Sequence, residues 1–194
     1  MNDKQNITGI ILAGGKSSRM GSDKGLLELN EETFISRIIE AVKPLAKDII
    51  IVSNNSAYDQ YGYKRVDDII ENAGPVAGLH SGLFHSKTEH NLVVSCDVPL
   101  ITTAVLNTLI EGFDINFDVI QLQSQNKTMP LIALYKKQCM DTFLELLQHN
   151  KRRLRFAVAQ LRTKTINLDG ELDKFVKNIN TVEQLNDIKN AVEY

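Results

Sequence analysis

Short apolar runs rich in Ile and Val recur along this chain and alternate with segments whose apolar residues fall three and four apart. That alternation is the pattern of βαβ units, in which each parallel strand needs a crossover helix before the next. It predicts strands at residues 7–13, 48–53, 63–66, 91–96, 117–123, 131–135 and 164–168. Between them, Thr33 can cap a helix with Phe34, Ile35, Ile38, Ile39 and Val42 on its apolar face, and Pro44 helps to end it. Pro75 suits the first turn of a second helix through Val76, Leu79 and Leu83, and Thr102 or Thr103 starts a third that Gly112 can stop. Thr181 and Gln184 have the spacing of a capping box, ahead of a face made by Val182, Leu185, Ile188 and Val192. Residues 125–129 are polar and are expected to form a loop. The fold class expected is α/β, with helices layered on a mostly parallel sheet.

With 194 residues and no internal repeat or linker-like stretch, one domain over 1–194 is the expectation. The two cysteines, Cys96 and Cys139, lack metal-ligand spacing, and Cys96 ends an apolar run where a buried thiol is expected. That usage fits a reducing compartment. The N-terminal MNDKQNITG has no signal-peptide pattern, and no apolar stretch is long enough to span a bilayer, so a cytoplasmic protein without membrane contact is expected. Lys and Arg number 22 against 24 Asp and Glu, which gives nothing to suggest a nucleic-acid partner. Any affinity for phosphate has to be local. His80 and His85 lie five apart, on different helix faces, and no zinc-type arrangement includes them.

The local candidate is LAGGKSSRMGSDKG, which follows the first apolar run at the sheet's carboxyl edge, where open α/β folds bind ligands. Gly14, Gly15 and Gly21 let backbone N–H groups approach phosphate, while Lys16, Arg19 and Lys24 bring three cations opposed only by Asp23. A Walker A loop would need glycine where Ile10 stands, and a G-x-G-x-x-G fingerprint would need it at Lys16. Both are excluded. Asp97 ends another apolar run, and Val98 and Pro99 stop that strand from continuing. A carboxylate there faces the same edge and is the hard oxygen ligand that Mg²⁺ takes, although an Asp capping the next helix is the alternative. For KRRLR, residues 151–155, a solvated helix face is the alternative to phosphate binding.

The string LAGGKSSRMGSDKGLL resembles the signature of the molybdenum cofactor guanylyltransferase (MobA) family, among the Rossmann-like nucleotidyltransferases, and the second glycine favours it over relatives with LAAG. The resemblance implies a Rossmann-like three-layer sandwich of nucleotidyltransferase type. It also implies that Leu12, Ala13, Gly14 and Gly15 contact the nucleotide, that Arg19 sits on the phosphates and that Lys24 neutralises the α-phosphate. CDVP is similar to the family's C/V-D-x-P, which makes Asp97 the Mg²⁺ ligand and, with Arg19 and Lys24, catalytic. GPVAG matches G-P-x-A-G; the seven-residue spacing to Gly74 selects Asp67 as a nucleotide contact, with Asp68 the other register, and Gly78 lets the helix approach the ligand.

KNINTVEQL resembles N-x-N-T-x-E-x-L, which puts Asn178 and Asn180 near the acceptor, with local capping as the alternative; Arg152 and Arg153 resemble a basic pair around the pterin phosphate, and Pro130 matches a further segment. One departure is Ser53, followed by Asn54 and Asn55, where some members place a base-contacting Asn.

The activity implied is transfer of GMP from GTP to Mo-molybdopterin with Mg²⁺, giving molybdopterin guanine dinucleotide and pyrophosphate. The implied partners are the two substrates and, transiently, other cofactor-biosynthesis proteins or apo-molybdoenzymes. A relative using CTP or another phosphorylated acceptor, and a nucleotide-binding module without turnover, are the alternatives.

Overall fold

The computed structural model describes residues 6–13, 23–70 and 73–192; Gly14, Gly15, Lys16, Arg19 and Gly21 lie outside the described residues. The first half runs β1 (Ile7–Leu12), a small hairpin of β2 (Glu28–Leu29) and β3 (Glu32–Thr33), α1 (Phe34–Val42), β4 (Asp48–Val52), β5 (Lys64–Val66), α2 (Pro75–His85) and β6 (His90–Ser95). The second half runs α3 (Thr103–Glu111), β7 (Val119–Ser124), β8 (Lys127–Lys136), α4 (Cys139–Gln148), α5 (Leu154–Val158), β9 (Thr163–Asn167) and α6 (Val182–Val192). Seven strands form one sheet in the order β5-β4-β1-β6-β8-β7-β9, and each of the seven coincides with an apolar run in the sequence. Only β8 runs against its neighbours β6 and β7.

β1 shows why the sheet has two covered faces. Ile7 and Ile11 pack with α1 and α3 residues in one core, whereas Ile10 and Leu12 pack with α2 residues in the other, as the two-residue strand period requires. α4 and α5, which are not among the expected helices although Cys139, Phe143 and Leu147 fall four apart, complete the second layer through those residues and Ala157 and Val158. The result is a three-layer sandwich.

The caps follow the local chemistry. Thr33 and Thr102 accept from the backbone N–H groups of Ser36 and Val105, each at 3.3 Å. Gly74 enters α2 with φ 73° and ψ −163°, a conformation open to glycine almost alone, and Pro75 then takes the first helical position. At α6, Thr181 Oγ1 accepts from Gln184 N at 3.2 Å, and Gln184 Oε1 reaches back to Asn180 N at 2.7 Å.

Two expectations are corrected. Only Gln125 and Asn126 form a turn, both with positive φ, because Lys127, Thr128 and Met129 pair with Ser124, Gln123 and Leu122 in the β7–β8 hairpin. Their polarity reflects a face turned to a cavity, not a lack of strand pairing. On α6, Leu185 is buried but Val182 is 52% exposed and leaves the expected apolar face. Among the described residues, no helix is long and apolar enough to cross a membrane.

Candidate active site

Parallel strands deliver their last residues to one edge, where the backbone ladder continues: Ala13 N donates to Val52 O at 3.0 Å and Cys96 N to Leu12 O at 3.0 Å. Beside that ladder opens a cavity of about 630 Å³, whose lining includes Leu12, Ala13, Ser53, Asn54, Asn55, Asp68, Gly74 and Gly78. A Cβ on Gly78 would stand 3.5 Å from Asp68 Oδ1 and Leu12 Cδ2, which is ordinary contact. Packing therefore does not demand glycine at 78, which lies on the cavity lining.

The two acidic residues after β5 have separate surroundings. Asp67 is exposed and pairs with Arg65, which also holds Asp59 at 2.8 Å and Ser53 O at 2.8 Å. Asp68 lines the cavity, and burial, with the Asp67 charge second, pushes its carboxyl above the usual range. Asn54 Oδ1 fixes the strand end by accepting from Asp68 N at 2.9 Å. Asp23 also lines the cavity, but its carboxylate is occupied by Gly25 N at 3.2 Å, Asn55 Nδ2 at 2.9 Å and the Tyr58 hydroxyl. Burial and then that bond raise the Tyr58 hydroxyl far above its ordinary pKa, so it stays a neutral donor.

A second cavity, of about 670 Å³, shares Ser95 and Leu131 with the first. Met129, Pro130, Leu154 and Val176 give it apolar walls, and Lys127, Arg153, Arg155 and Lys177 outnumber Asp97 and Asp173 on its lining. Arg153 therefore lies where an acceptor phosphate could bind. Arg152 is absent from this lining and donates to Asn150 Oδ1 at 3.2 Å. Arg155 lies in the KRRLR run but is not in the basic pair that the family resemblance selects. Two residues apart on a helix, Arg153 and Arg155 would diverge, but α5 begins only at Leu154, and the extended backbone of Arg153 lets both reach the cavity.

Asp97 lines the second cavity, two residues past Ser95, which lines both. Its carbonyl accepts from Ile179 N at 2.8 Å, its Oδ2 accepts from Asn178 Nδ2 at 2.9 Å, and Lys24 Nζ donates to Asn180 Oδ1. The segment before α6 thus ties down the carboxylate and the lysine together. Asn178 lines the acceptor-side cavity; Asn180 is absent from its lining and positions Lys24 instead. Neither side chain caps α6, since Thr181 does.

Asp97 Oδ1 is buried with no hydrogen-bond partner among the described residues. A buried acceptor left open beside a fixed carboxylate oxygen fits a hard divalent cation. No group of three or more His, Cys, Asp or Glu side chains gathers there among the described residues. Cys96, just before it, is buried and pushed up to about 12 by burial first and the Asp97 charge second, so it is an inert thiol.

Comparison with known proteins gives the family and the fold. The model of the MobA-like NTP transferase domain matches residues 9–165. A probable molybdenum cofactor guanylyltransferase of Flavobacterium johnsoniae is 33% identical over 184 residues, covering 95% of this chain and 97% of the relative. The molybdenum cofactor guanylyltransferase of Desulfosudis oleivorans is 32% identical over 196 residues, covering 96% of each. The structure of molybdopterin-guanine dinucleotide biosynthesis protein A from Archaeoglobus fulgidus superposes with a TM-score of 0.82 at 22% identity, covering 96% of this chain and 98% of that one, and shows the shared fold.

Proposed function

The chain belongs to the MobA-like NTP transferase family, and on that premise we propose that it transfers GMP from GTP to Mo-molybdopterin, releasing pyrophosphate and forming molybdopterin guanine dinucleotide. The observation that carries this reading is the junction: Asp97, Lys24, Asn178 and Asn180 converge beside the wall that two cavities share. One cavity takes the nucleotide, and the other takes the phosphorylated acceptor. We read residues 1–194 as one domain, because every strand among the described residues except the β2–β3 hairpin joins one sheet.

In the reaction, an oxygen of the acceptor phosphate forms a bond to the α-phosphorus of GTP. The bond from that phosphorus to the bridging oxygen breaks, and pyrophosphate leaves with the electron pair. A phosphate monoester is largely ionised at neutral pH, so the nucleophile needs no general base. Catalysis rests on positioning and charge. Lys24, held by Asn180, neutralises the α-phosphate, and Arg19 and the glycine loop hold the outer phosphates. Arg153 and Arg155 orient the acceptor phosphate from the other side. Mg²⁺ held by Asp97 supplies Lewis-acid neutralisation of the α-phosphate when bound.

Asp68 selects the base. An ionised carboxylate only accepts hydrogen bonds, and the Watson–Crick edge of guanine offers adjacent ring and amino N–H donors. Asp67, tied to Arg65, keeps the strand end in place. Incubation with Mo-molybdopterin, Mg²⁺ and GTP, CTP or ATP in parallel, with mass analysis of the product, tests the reading. Product with GTP alone supports it. Product with CTP alone shifts the base assignment, and nucleotide binding with no product from any of the three supports a non-catalytic module.

A further inference from the structure

A smaller recess of about 310 Å³ continues from the acceptor cavity between the sheet and the end of α5; Thr128, Pro130 and Arg155 line both spaces. Val158, Ala159 and Leu161 give the recess apolar walls. Gln121 also lines it, from β7 beside a shift in strand register, and is only 6% exposed. Its Nε2 donates to Thr165 Oγ1 at 3.2 Å, and its Oε1 is buried with no partner among the described residues.

The Thr165 hydroxyl can serve one end of this amide only. Whichever way the amide is turned, its other end stays without a partner beside the recess, and a buried amide left half satisfied destabilises the folded protein. An apolar side chain of the same shape would avoid that cost. The group is explained if its missing partner arrives with a ligand. Walls that are apolar apart from Thr128 and Thr163, with an unpartnered amide oxygen on one lining residue, suit the edge of a flat heterocycle carrying an N–H, and Arg155, shared with the acceptor cavity, can hold an anionic group of the same molecule.

We propose that this recess is the ring subsite of the acceptor and that Gln121 Oε1 accepts a hydrogen bond from an N–H of the acceptor's heterocycle. The assignment rests on the acceptor reading above. It makes Gln121 a specificity residue for the acceptor with no part in nucleotide binding. A site built to bond a ligand N–H also rejects rings that lack one, because the amide would then stay unpaired.

The test uses the full-length protein carrying Gln121→Met, which keeps length and flexibility while removing both polar ends, with Gln121→Leu as a second variant. Expected is a rise of about tenfold in KM for Mo-molybdopterin, with the KM for GTP unchanged and the melting temperature equal to or above that of the wild type. Unchanged acceptor KM in an active, folded variant overturns the proposal. So does a fall in melting temperature with parallel losses for both substrates, or failure of both variants to fold, since the amide would then be a tie between β7 and β9. Wild-type protein without turnover on GTP and Mo-molybdopterin overturns the functional reading itself, and the subsite with it.

Discussion

The two cavities differ in how the chain builds them. The nucleotide side is assembled from the ends of parallel strands and the start of α2, with Leu12, Ala13, Gly74 and Gly78 brought in by short local motifs. The acceptor side needs the end of β6, the β7–β8 hairpin, the first turn of α5 and the segment before α6, four stretches spread over residues 95–178. Both sides draw on stretches remote in sequence, but several of those on the nucleotide side carry short motifs visible in the sequence. A cavity for a larger acceptor depends on how distant elements pack.

The largest effect is expected from Asp97→Asn, because Asp97 lines the acceptor side two residues past Ser95, which lines both cavities. Turnover is expected to fall on the order of 10²–10³-fold while GTP affinity changes little, since the loss removes charge stabilisation and not the nucleotide cavity. Parallel kcat and GTP-binding measurements, with circular dichroism as the folding control, check this. Near-normal turnover in a folded variant would return Asp97 to the role of a turn or cap.

Separation of the two sides is sharpened by Arg153→Ala with Arg155→Ala. The acceptor KM should rise on the order of 10–100-fold with GTP affinity intact, whereas Arg152→Ala should do far less, because Arg152 is not on the cavity lining. Loss of GTP binding in the double variant would mean that the cavities are assigned the wrong way round.

Two glycines of α2 contrast packing with ligand space on the nucleotide side. A Cβ at Gly82 would stand 2.5 Å from Ile10 Cγ2, so Gly82→Ala should destabilise the protein by about 1–3 kcal/mol in chemical denaturation. Gly78→Ala meets only ordinary contacts and should leave stability alone while weakening GTP several-fold. Equal stability losses in the two would remove Gly78 from the site.

The smallest effect concerns what pins the acceptor side. Arg162 grips Asp118 through Nε at 2.9 Å and Nη2 at 2.7 Å and, with Gln138, ties the start of β7 to β9 and to the N-terminal end of α4. The Arg162 bonds hold the Asp118 carboxyl down at about 2, from an ordinary 3.8. A carboxylate depressed on folding stabilises the protein above its unfolded pKa and loses that contribution as pH falls from about 4 toward 2. Arg162 is 64% exposed, so screening limits the contribution to on the order of 1 kcal/mol. Asp118→Asn should flatten this limb of the stability profile; an unchanged acid limb would show that the pair contributes nothing.

Much of the fold is legible in the amino-acid sequence alone. The seven strands of the sheet, the caps at Thr33 and Thr102 and the Thr181–Gln184 box follow from two-residue periodicity, helical spacing and short-range hydrogen bonding, which act within a few residues. So does the placing of Asp97 at a strand end beside the nucleotide edge. By contrast, only the tertiary structure decides that Asn178 holds Asp97 across 81 positions and that Asn180 holds Lys24 across 156. It also decides which carboxylate of the Asp67–Asp68 pair lines the cavity, that Arg155 joins Arg153, and that Gln121 opens into the recess under α5. The physical reason is range. Backbone sterics and capping leave their mark on neighbouring residues, whereas sheet order and layer packing bring remote side chains together through the summed burial of two cores, and no single residue carries that information.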